Sequence, residues 1–214
     1  MAPTPAPDDF GVTLECTAEA SGSALTVRYS LKNHTGERYV VFNRLAHERS
    51  VNHLPVKEHD SNLVQIDYDG SNLVLSKQIP AIPVLWHMHD IVPDQTLLEA
   101  RSEFSEEFTM PLPAVVNNYI RLGWFDHGKS WNFELTGLRR TKRVRLSIGV
   151  FKIGPDERFW DGGSRRPKGI HSVENEATAQ YEQVLLSKMI VLPHAIDVLD
   201  FEEKKNPTLD FPRE

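Results

Sequence analysis

The chain has 214 residues, 40% of them hydrophobic, 25% charged and 9% aromatic, with a formal net charge of -6; at this length a compact fold hides roughly 70% of the surface its unfolded chain would expose, so neither a disulfide nor a metal is needed for stability alone. Twelve glycines and fourteen prolines are a background level, which excludes collagen-like and wholly disordered polymers. No apolar run exceeds four residues (Tyr39 to Phe42, Met189 to Leu192), far short of the ~20 that a membrane-spanning helix requires.

The first eight residues alternate proline with small residues, which forces extended, unpaired backbone, so 1–8 reads as an extended Pro-rich arm. It carries no basic stretch followed by an apolar one, hence no signal peptide. The one cysteine, Cys16, cannot form an intrachain disulfide. Both features predict a cytoplasmic setting; a leader removed from this N-terminus would make it periplasmic or secreted instead.

From Val12 the pattern has a period of two. Val12 to Cys16 is a first strand, in which Cys16 serves as a small buried hydrophobe. Leu25 to Leu31 places Leu25, Val27, Tyr29 and Leu31 on one face and Thr26, Arg28 and Ser30 on the other, as a half-buried antiparallel strand requires. The turn formers Asn33-His34-Thr35-Gly36 follow, then β-branched and aromatic residues from Arg38 to Asn43, predicting a hairpin. A second hairpin runs from Leu63 to Tyr68, through Asp69-Gly70-Ser71-Asn72, and back along Leu73 to Lys77. Residues 96–112 read as one long strand ended by Pro111 and Pro113, with shorter candidates at Tyr119–Trp124 and Trp131–Leu135. The strongest pattern lies at Arg143 to Ile153. Ser172 to Leu192 can be a helix capped by Ser172; its β-branched ending and Pro193 favour a strand for Val184 to Val191, leaving Glu174 to Gln183 as a short helix. Residues 201–214 read as a polar tail, so the folded domain spans 9–200.

Short strands, turn signals and the absence of a βαβ rhythm predict a mainly β protein: a single antiparallel β-sandwich, immunoglobulin-like in architecture, with at most one or two short helices. The cysteine pair of true antibody domains is missing.

Charge is distributed unevenly. Residues 138–168 hold ten Lys/Arg against three acids, and the remainder holds fourteen against twenty-seven. Within this segment Arg139, Arg140, Lys142, Arg143 and Arg145 precede or alternate with the apolar residues of the strongest strand, as a solvent-facing strand surface would. The loop from Gly154 to Gly169 combines Phe159 and Trp160 with Arg165, Arg166 and Lys168. Tryptophan beside arginine is the composition of an interaction hot spot, and loops on a rigid sheet are where binding usually resides. These five residues are therefore the candidate surface for a protein or anionic ligand. The acidic remainder and the lack of a stacking motif argue against nucleic acid.

Hydrolytic and nucleotide-dependent chemistry finds no support, because the chain lacks a Gly-x-Ser-x-Gly elbow, a phosphate loop and a dinucleotide fingerprint. The one metal-like spacing is His87-Met88-His89: in an extended segment both imidazoles project from one face about 7 Å apart. They could share a divalent transition metal completed by Asp90, His127 or His171. No cofactor is otherwise implied. A binding module is thus the favoured class, with a metal-dependent protein centred on His87 and His89 as the alternative and a structural or assembly component third.

Overall fold

A computed structural model describes residues 4–5, 10–51, 54–79, 94–117, 133–153, 159–161, 171–173 and 183–203. All regular elements among them are strands: β1 (Thr4–Pro5), β2 (Val12–Ser21), β3 (Ala24–Asn33), β4 (Tyr39–Val51), β5 (Leu54–Asp60), β6 (Gln65–Tyr68), β7 (Leu73–Lys77), β8 (Asp94–Leu98), β9 (Glu103–Pro111), β10 (Ala114–Val115), β11 (Phe133–Lys152), β12 (Phe159–Asp161), β13 (His171–Val173) and β14 (Val184–Glu203). Residues 174–182, nearly all of the expected short helix, lie outside the described residues.

The protein is mainly β, as its period-two pattern requires, yet the strands are not arranged as an immunoglobulin-like sandwich. β2, β3 and β9 form a three-stranded antiparallel sheet, and the other strands form one large mixed sheet that curls into a nearly closed, barrel-like wall. Parallel pairs join β7 to β11 and both β1 and β10 to β14. A shared core fills the space between the sheets, with Leu25, Val27 and Leu31 from β3 meeting Val144, Leu146 and Ile148 from β11. A smaller cluster of Val40, Phe42, Ile79, Phe151 and Ile153 packs on the large sheet. β4 serves both clusters, because Tyr39 and Val41 alternate with Val40 and Phe42 along a strand.

The β6–β7 hairpin follows its turn chemistry. Asp69 Oδ1 accepts from the backbone N–H groups of Ser71 and Asn72, at 3.1 and 2.8 Å, and Gly70 takes φ 90. Two other turns depart from expectation. Asn33–Gly36 does not close a hairpin: β3 belongs to the small sheet and β4 to the large one, so this turn carries the chain between sheets. Residues 96–112 are likewise two strands, β8 in the large sheet and β9 in the small one, broken at Glu99–Ser102, where Arg101 adopts φ 55. One buried side chain ties both corners. Asn33 Nδ2 donates to the carbonyls of Glu37 and Glu99, at 2.7 and 2.8 Å, while its Oδ1 accepts from the N–H and hydroxyl of Thr35.

β11 and β14 are each 20 residues long and pair along nearly their whole length. Pro193 does not end β14. Between Val191 and Ile196 the ladder skips Leu192 to Ala195 against Lys142 alone, so the proline, which has no N–H to donate, sits in an irregularity and pairing resumes beyond it. The strand then runs to Glu203. At the other end Gly149 is required by close packing: a Cβ there would lie 2.6 Å from Gln183 Oε1, which accepts from Ile79 N–H at 3.1 Å while Gln183 Nε2 donates to Ile79 O at 2.7 Å.

Asn33→Ala leaves two corner carbonyls without their donor. We expect it to cost about 2–3 kcal/mol in urea denaturation, the scale of buried polar groups left unsatisfied. Arg101→Gly, which relieves a left-handed φ, should be neutral or slightly stabilising in the same measurement.

Candidate functional site

The most unusual chemistry of the fold arises where β11 changes partners. β7 runs parallel to β11 and ends with Lys77 opposite Ile148, whereas β4 runs antiparallel and reaches Gly149 at Phe42. Continued pairing would set Asn43 against Ile148, a place Lys77 already occupies. β4 therefore leaves β11 here, and its register with β8 shifts between Phe42 and Arg44. Lys77 and Asn43 are forced together, with their side chains inside the molecule.

The small sheet supplies the countercharge. Across it, Cys16, Tyr29 and Glu106 pair in one row and so share a face. Glu106 Oε2 lies 3.0 Å from Lys77 Nζ and accepts from the Tyr29 hydroxyl at 2.5 Å, while its Oε1 accepts from Asn43 Nδ2 at 3.1 Å. Lys77 Nζ also donates to the backbone carbonyls of Asn43, at 3.0 Å, and Ser61. The Thr96 hydroxyl donates to Asn43 Oδ1 at 2.9 Å. Two aromatic rings enclose the ammonium, with the centroid of Phe108 4.7 Å and that of Tyr29 5.8 Å from Nζ. The Lys77 side chain is 0% exposed and that of Glu106 11%.

Burial sets the protonation tendencies of this cluster. It lowers Lys77 below the usual lysine value of 10.5, against the opposing pull of Glu106. It raises Tyr29 well above 10.0, and the Glu106 carboxylate adds to that shift both as a charge and as a hydrogen-bond acceptor. A cleft of about 750 Å³ opens beside the cluster, lined by Cys16, Tyr29 and Glu106 and by Lys188 from β14. Burial pushes the Cys16 thiol up to about 11, and Lys188 offsets only part of this. Cys16 is thus a weakly nucleophilic thiol, and it is only partly buried where a buried hydrophobe was expected.

The sequence-derived site residues fall differently. His87, His89, Asp90 and His127 lie outside the described residues, as do Arg165, Arg166 and Lys168. Among the described residues no group of three His, Cys, Asp or Glu side chains converges on a possible metal position. Phe159 and Trp160 lie in β12, paired with Val173 and Ser172 of β13. Of the cations on β11, Arg139 pairs with Glu202 at 2.9 Å, Arg140 with Asp197 at 3.1 Å and Arg145 with Asp69 at 3.2 Å. Acids from β14 and the β6–β7 turn therefore neutralise much of this stripe, as a solvated strand surface requires. Asn33, which opens the turn Asn33-His34-Thr35-Gly36, is 2% exposed and committed to the sheet corners.

Sequence reasoning missed the Lys77–Asn43–Glu106 cluster. The one local signal was Lys77 closing a strand whose other residues are apolar or small. Comparison with known proteins finds no matching family model and no significant match among curated proteins or solved structures.

Cys16 and Tyr29 make stability fall in alkali. A thiol that ionises at 9.0 when unfolded and at about 11 when folded contributes stability that is full below pH 9 and is lost as pH rises to about 11. Tyr29 contributes with the same sign above pH 10. Urea midpoints measured stepwise from pH 8 to 11 should decline, and Cys16→Ala should flatten the earlier part of that decline.

Proposed function

We propose that the chain is a non-enzymatic binding module that presents the segment 154–169 to a protein or anionic ligand. The observation carrying this reading is the pairing on either side of the cation-rich stretch. Asp161 is opposite His171 across β12 and β13, and His171 in turn pairs with Gln95 of β8. The residues that flank 162–170 in the chain, Asp161 and His171, thus pair with each other and through β13 with a sheet strand. A rigid framework that holds the two flanks of a connecting segment is the usual arrangement of recognition loops. The interior supports the same reading, because Lys77 and Asn43 are both fully buried, beyond the reach of a diffusing substrate. A metal-dependent activity at His87 and His89 has no further observation in its favour.

Biolayer interferometry with an immobilised polyglutamate peptide tests this. Wild type should bind in a salt-dependent manner, and the Arg165→Ala/Arg166→Ala/Lys168→Ala triple variant should bind at least roughly tenfold more weakly, chiefly through slower association. Trp160→Ala should weaken capture with little change in melting temperature. A variant that instead loses roughly 3–5 kcal/mol of stability identifies Trp160 as a core aromatic rather than a recognition residue. Equal binding by wild type and the triple variant overturns the proposal.

A further inference from the structure

We propose that Lys77 and Asn43 are the substrates of a self-catalysed modification, an isopeptide bond between Lys77 Nζ and Asn43 Cγ that releases ammonia, with Glu106 as the catalytic acid and base. The proposal is independent of the binding function above. It stands on four placements. The nucleophile and the amide are driven together by the partner change of β11. The two oxygens of one carboxylate hold both reacting groups: Oε2 lies 3.0 Å from Lys77 Nζ, and Oε1 accepts from the leaving nitrogen, Asn43 Nδ2, at 3.1 Å. Asn43 Oδ1, where negative charge develops during attack, already accepts from the Thr96 hydroxyl at 2.9 Å. Phe108 and Tyr29 exclude water from the amine, which keeps hydrolysis from competing.

The proton inventory closes without any outside reagent. Lys77 passes a proton to Glu106, a transfer that burial of the ammonium favours. The freed amine attacks Asn43 Cγ, and the carbonyl electron pair moves to Oδ1. As the tetrahedral intermediate collapses, Nδ2 takes the proton carried by Glu106 and departs, while the attacking nitrogen returns its surplus proton to Glu106. Ammonia then accepts that proton and leaves as ammonium, restoring the carboxylate. One C–N bond forms and one breaks, with no change in oxidation state. The cleft that reaches Glu106 gives the product a way out. Because all participants belong to the folded chain, proximity replaces substrate binding, and the reaction turns over once.

Intact mass and peptide mapping of the purified full-length chain test this. Wild type should weigh one ammonia less than the Glu106→Gln chain after allowance for the substitution. After trypsin, residues 39–44 should be joined to residues 58–101, because a modified Lys77 is no longer cleaved. Lys77→Arg and Glu106→Gln should keep the ammonia, and Asn43→Asp should lose water in its place while giving the same branched peptide. The wild-type map is decisive even if a variant fails to fold. A wild-type chain of unmodified mass, or ammonia lost at another residue, overturns the proposal, as does a folded Glu106→Gln chain that cross-links as completely as wild type.

Discussion

The Glu106 carboxylate is the constraint on which the arrangement of the two sheets depends. It is the point at which β9 of the small sheet meets β4 and β7 of the large one, through Asn43 and Lys77. A buried ion pair of this kind adds little net stability, since desolvation of both charges offsets most of their attraction, but a broken one is costly. Its effect is therefore on specificity. Glu106 and Glu107 are adjacent, and they face opposite ways: Glu106 turns inward to Lys77, and Glu107 turns outward to Arg28. A slip of β9 by two residues would keep the same face inward but put Phe104 or Phe108 where Glu106 stands, leaving Lys77 without its countercharge. The register between the sheets is thereby held by electrostatics as well as by shape.

Local chemistry was legible in the sequence, and long-range placement was not. The β6–β7 hairpin follows from Asp69-Gly70-Ser71-Asn72, whose hydrogen bonds span three residues or fewer. The alternation from Leu25 to Leu31 matches burial in β3 because one face of that strand meets the core. The break inside 96–112 was hidden, since Arg101 takes a left-handed conformation without glycine to announce it. Pro193 misled in the opposite direction: proline forbids one hydrogen bond, and an irregularity that needs none lets the strand continue.

The same distinction explains the site. A lysine at the end of a strand normally reaches solvent, and nothing near Lys77 in the chain shows that Glu106, 29 residues on, will meet it inside. Neither does the local sequence show that β11 accepts β7 and then β4 along one edge. That partner change is a property of the whole sheet, yet it decides which two side chains touch. Equally, the cations of β11 looked like a basic stripe because Asp197 and Glu202, which answer Arg140 and Arg139, lie more than fifty residues later.

The position of β14 bears on how the chain matures during synthesis. It is the last strand in chain order among the described residues, yet it pairs with β11, β1 and β10 and covers core residues from both sheets. A growing polypeptide therefore cannot complete its wall as the strands emerge. Until β14 leaves the ribosome, a 20-residue edge of β11 lacks its partner, and such an edge invites pairing with other chains. The ion-paired arginines on β11 serve this interval as well, because a charged edge is a poor template for aggregation. Closure of this wall is thus deferred to β14, the last of the described strands, and sequence-distant pairing of this kind makes folding slow for the size of the molecule.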